Sequence, residues 1–128
     1  MDVIVTDNGF STDTWSAETT LSISSETDPE SLTLPNDIQR VVITFPNFAD
    51  GRGFTLARLL RLRGYSGALR AKGPIISDQY AMARRSGFDE IAISQAQAVR
   101  QPEHDWLFRS KLDSPQLSIA LASKRLEN

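Results

Sequence analysis

Residues 40–45 read RVVITF, an apolar and β-branched run closed by Pro46. A strand with one wet face alternates apolar and polar residues. A run that stays apolar belongs to a strand covered on both faces, as in parallel sheets. Parallel neighbours need crossover connections, and the next fifty residues supply them. Leu56, Leu59 and Leu60 form a helical stripe. Thr55 is placed as its N-cap, with Phe54 and Leu59 as a hydrophobic staple. Arg61 and Arg63 suit the negative end of the helix dipole, and Gly64 suits the position just beyond. Residues 68–72 make the next strand. Ser77 then caps a second helix, with Asp78 in its first turn, Arg84 and Arg85 in its last, and Gly87 behind. Residues 89–94, DEIAIS, form a third strand, and a short helix over 94–100 stops before Pro102. The pattern predicts an α/β fold: a small three-layer open sheet, mostly parallel, with right-handed crossover helices.

The 128 residues fit a single domain. Three parts are expected: an irregular acidic stretch over 1–39, the α/β core over 40–101, and a C-terminal extension over 102–128. In the first, Val3 to Val5 can pair with residues 21–23, with Asp7-Asn8-Gly9 supplying turn chemistry. In the last, residues 103–111 read as a helix burying Trp106, with Phe108 a second candidate. Leu117, Ile119 and Leu121 alternate with small residues, so 116–122 reads as a strand, although a helix begun at Pro115 competes. Pairing of that strand with a second copy would make a homodimer.

Composition removes several chemistries. The chain has no cysteine and one histidine, His104. Thiol redox work, cysteine-bound iron–sulfur clusters and His-rich metal sites are therefore excluded. No stretch approaches the roughly 18 to 20 apolar residues of a membrane span, and the N-terminus lacks the pattern of a signal peptide. A cytoplasmic protein without membrane contact is expected. Charge is segregated. Residues 1–39 hold eight acids and no base, whereas residues 51–77 hold six bases and no acid. Either the basic segment receives an anionic partner, or the acidic segment folds onto it and neutralises it. No aromatic and basic ladder for nucleic acid is present.

The loop after the central strand is the one segment with binding chemistry. It leaves the C-terminal end of that strand, where open α/β sheets place ligands, and it contains Asp50, Gly51, Arg52 and Gly53, with Thr55 close behind. Backbone amides beside two glycines, a helix N-terminus and a guanidinium are together suited to an oxyanion. The opposing reading makes Asp50 an Asx-turn residue and Arg52 its ion-pair partner. No phosphate-loop lysine follows, and Leu56 occupies the third glycine position of a dinucleotide fingerprint. Arg70 is expected to point toward the same end of the sheet and to pair with Asp78, which with Gln79 opens the second helix. No catalytic constellation is recognisable, and no cofactor is specified.

The run Phe45-Pro-Asn-Phe-Ala-Asp-Gly-Arg-Gly-Phe, with Ala57-Arg58-Leu59-Leu60-Arg61, Arg70-Ala71, Asp78-Gln79 and Gly87-Phe88-Asp89, resembles a bacterial family of unknown function. The resemblance covers residues 28–93, and Asp13-Thr-Trp15 is similar to the family's N-terminal pattern. Members are labelled oxidoreductases of sulfite reduction, through association with sulfate-assimilation genes. This chain carries Gly73-Pro74-Ile75 where the family commonly has Gly-Asp-Val. The resemblance implies a pathway more than a mechanism. Three readings follow: an accessory protein docking a sulfite or sulfate reduction enzyme or sensing an anion; an oxidoreductase with a non-covalent cofactor at the same loop; and a structural dimer whose loop is only a turn.

Overall fold

The computed structural model describes residues 2–47 and 49–112. Six strands are formed: β1 (Val3–Thr6), β2 (Gly9–Thr12), β3 (Thr20–Ser24), β4 (Arg40–Thr44), β5 (Ala68–Lys72) and β6 (Glu90–Ile93). They make one sheet in the order β2-β1-β6-β5-β4-β3. Strands β3 to β6 run parallel, and the β1–β2 hairpin adds antiparallel to β6. The mostly parallel α/β sheet expected from residues 40–94 is present.

Helices α1 (Arg52–Leu62) and α2 (Tyr80–Ser86) carry the chain from β4 to β5 and from β5 to β6. Helices α3 (Gln95–Arg100) and α4 (Glu103–Leu112) follow β6. Successive crossovers of one hand, stepping in one direction, leave their helices on one face. That face is the core. Val41, Ile43, Leu69, Ala71, Ile91 and Ile93 alternate inward from the strands and meet Phe54, Leu56, Ala57, Leu60, Tyr80, Ala83 and Trp106. Each large side chain so buried contributes about 2 kcal/mol.

The opposite face is built differently. Chain joining β2 to β3 must travel from one sheet edge to the other, and residues 13–19 cross it there. Trp15 lies over the Arg70 guanidinium at 3.9 Å and 5.6 Å from that of Arg40. The layer on this side is mainly coil.

Several local expectations are corrected. Residues 1–39 supply three strands, and β1 pairs with β2 and β6, not with residues 21–23. The Thr6–Gly9 turn closes a local hairpin, which frees β3 to pair in parallel with β4 at the far edge. Helix α1 starts at Arg52, so Thr55 lies within it; the Asp50 carboxylate accepts the Arg52 main-chain N–H at 3.0 Å and starts the helix early. A short 3-10 turn, Ser77–Gln79, precedes α2. Trp106 is buried as expected, whereas Phe108 is exposed. The reading of residues 116–122 as a strand, with the dimer built on it, lies outside the described residues.

Candidate functional site

The aromatic floor of the loop decides its shape. Phe45, at the end of β4, packs on Phe54 and Phe88 with ring centroids 5.1 and 6.0 Å away. Gly53 lies in the first turn of α1 above this ring; a Cβ there would fall 2.2 Å from Phe45 Cζ. Its glycine is thus required by packing, not by a tight turn that bares amides. Gly51, in contrast, has open space around its Cα. From the next strand, Gly73 closes against the same phenylalanine: at φ 146, a Cβ would meet the Phe45 carbonyl oxygen at 2.4 Å. Phe45 thus draws together the connections that follow β4 and β5 at the C-terminal end of the sheet.

Over that floor sits the Asp50–Arg52 pair. Asp50 Oδ1 accepts Arg52 Nε and Oδ2 accepts Arg52 Nη2, both at 3.0 Å. Ser25, buried after β3, donates its hydroxyl to Oδ2 at 2.7 Å. Hydrogen bonds from the Arg52 guanidinium, then from the Ser25 hydroxyl and the Arg52 amide, hold the Asp50 carboxyl far below the ordinary carboxylate range. The Asp50 side chain is 4% exposed and that of Arg52 is 60% exposed. Glu26 reaches Arg52 Nη2 at 3.4 Å. Asp50 thus acts as a buried clamp for an outward guanidinium whose Nη1 has no partner among the described residues.

The Asx-turn reading of Asp50 is realised, and Arg52 is its ion-pair partner. Ser25 and Glu26 complete the arrangement; no sequence signal marks Ser25, whereas the segregated charges hint at an acid such as Glu26. The same signal explains two further pairs, Asp13 with Arg70 at 2.9 Å and Asp2 with Lys72 at 3.6 Å. The acidic N-terminal stretch folds onto the basic segment.

The remaining candidates do not converge on the loop. Thr55 donates its hydroxyl to the Gly51 carbonyl at 3.4 Å. It shares an open hollow of about 300 Å³ with Gly51, Phe54, Arg58, Met82 and Ser86. Arg70 leaves β5 on the coil-covered face, where Glu90 accepts its Nε and Nη2 at 3.0 and 2.8 Å. It does not pair with Asp78, because alternation along β5 turns it away from the helices. Asp78 instead meets Arg109 of α4 at 2.8 Å. The Gln79 side-chain oxygen accepts the Ile76 N–H at 3.2 Å and caps the turn before α2. Among the described residues, no cluster of three or more His, Asp or Glu is placed to hold a metal ion.

A family model described as "Bacterial protein of unknown function (DUF934)" matches residues 20–109. The chain belongs to this family. The DUF934 match spans β3 through most of α4, so it includes the Ser25–Asp50–Arg52 arrangement, the Phe45 floor and the Gly73 turn. No curated protein and no solved structure matches the chain. Among the described residues of this DUF934 protein, no helix is long and apolar enough to cross a membrane.

Proposed function

We propose that the protein is a cytoplasmic accessory factor that docks an enzyme of sulfite or sulfate reduction through the loop spanning residues 50–55. The pathway rests on the resemblance carried by the FPNFADGRGF run. The mode of action rests on one observation: a buried carboxylate grips two nitrogens of Arg52 while most of that side chain stays in solvent. A guanidinium held in one orientation loses little conformational freedom when a partner binds, and arginine is enriched among the residues that anchor interfaces. An acceptor on the partner would take Nη1, with Glu26 tuning which partners are tolerated by repelling acidic ones.

The second reading, an oxidoreductase with a non-covalent cofactor, would have to use the hollow beside Thr55. At about 300 Å³ it stands at the small end of ligand pockets. Docking is therefore the stronger reading.

Affinity capture on immobilised protein tests it. Mass spectrometry should find a sulfite or sulfate reductase component enriched, and Arg52→Ala should lower its recovery about tenfold. Absence of any such component, or recovery indifferent to Arg52→Ala, would remove the reading.

A further inference from the structure

A separate cavity of about 250 Å³ opens at the C-terminal ends of β5 and β6, lined by Asp2, Lys72, Gly73, Pro74, Ala92, Ser94, Gln97 and Arg100. Two of these side chains are cationic, Lys72 from the sheet and Arg100 from α3. Arg100 is not left to wander. Its Nη2 donates to Gln97 Oε1 at 2.9 Å, and Gln97 is buried. Gln97 in turn donates Nε2 to Gln101 Oε1 at 2.9 Å, and that oxygen also accepts the Ser77 N–H at 2.8 Å. Ser94 Oγ accepts the Gln97 N–H at 3.1 Å, which leaves the hydroxyl proton available for a ligand. This chain of amides runs from the turn before α2 to the cavity wall. One product of this chain is a positioned arginine.

Lys72, also on the cavity lining, lies 3.6 Å from the Asp2 carboxylate. Both groups are part-exposed, so this contact is weak and exchangeable. Ala92 and Pro74 add apolar surface to the lining.

We infer that this cavity is a binding site for a small oxyanion, either free or as the terminal sulfate or phosphate group of a metabolite. Lys72 and Arg100 supply the charge and Ser94 one hydroxyl donor. Asp2 acts as an internal competitor: its carboxylate holds Lys72 until the ligand's oxygens replace it. The site is distinct from the Arg52 surface and stands without the docking function.

The opposing signs of two variants test the inference. Amide chemical shifts of the full chain would be followed in titrations with sodium sulfate, sodium phosphate and glycerol phosphate, each against chloride at equal ionic strength. Saturable shifts confined to residues 72, 73 and 94–101 are expected. Arg100→Ala, at an exposed position, should weaken binding about tenfold through loss of a charge-assisted hydrogen bond. Asp2→Asn should tighten it about threefold, an effect that a merely structural carboxylate would not produce. Tighter binding of glycerol phosphate than of the inorganic ions would identify a terminal group of a metabolite; equal binding would identify the free ion. Shifts reproduced by chloride, shifts that do not saturate, or an Asp2→Asn variant that binds no more tightly would each overturn the site.

Discussion

Arg70 and Arg52 are held by the same chemistry in opposite surroundings. Each engages a near neighbour in the fold, Glu90 or Asp50, and each takes a second acid from the N-terminal stretch, Asp13 or Glu26. Yet the Arg70 side chain is 5% exposed beneath Trp15, whereas that of Arg52 is 60% exposed at the C-terminal end of the sheet. Burial converts one ion cluster into architecture and leaves the other as a presented charge. Where the carboxylate is the buried member, its cation faces outward and can be shared with another molecule. Where the cation is the buried member, nothing remains to share.

The contrast can be broken most forcefully at Arg70. Arg70→Met leaves Glu90 and Asp13 without their cation and removes the Trp15 stack, so urea unfolding should show a loss of about 3 kcal/mol. A loss below about 1 kcal/mol would mean that the coil-covered face is not cemented by this residue. The two loop glycines sharpen the comparison next. Gly53→Ala should cost about 2 kcal/mol, because its methyl group would enter the Phe45 ring. Gly51→Ala, with open space around it, should change stability by no more than about 0.5 kcal/mol. Equal effects at the two positions would contradict the packing assigned to the first turn of α1.

Titration gives the smallest effect and a definite sign. Asp50 is held well below its ordinary value of 3.8 by the Arg52 and Ser25 hydrogen bonds. The folded state therefore binds this proton less readily than the unfolded chain. Its contribution is complete above pH 3.8 and is lost as the pH falls from there toward the folded value. The difference in urea midpoint between wild type and Asp50→Asn should be constant above that pH and shrink below it. A difference already shrinking near neutrality would show that the clamp is not the ionised carboxylate.

Much of this could be read from residues whose partners lie close in sequence or whose burial is uniform. The run 41–44 declared a covered strand because every inward and outward position is apolar or β-branched, and α2 announced itself through Asp78, Arg84, Arg85 and Gly87. What escaped depended on distant partners. Leu21 and Ile23 carry the alternation of a strand but nothing that names β4 as neighbour, so pairing with nearby Val3 to Val5 was the cheaper inference. Gly53 looks like a turn residue until the Phe45 ring is placed beneath it. Arg70 has no local mark of which face it leaves, and its acids are twenty and fifty-seven positions away. Asp50 and Arg52 were legible as a pair because only one residue separates them, whereas Ser25 and Glu26 were not.

The claim that Arg52 is presented and not merely stored is tested most directly by measuring two properties of one variant. For Arg52→Ala, the urea midpoint and the amount of reductase component captured should be determined side by side. The account predicts a modestly lowered midpoint, because Asp50 loses its main hydrogen-bond donor, with capture largely abolished. A lowered midpoint with capture intact would contradict it and return Arg52 to the same structural class as Arg70.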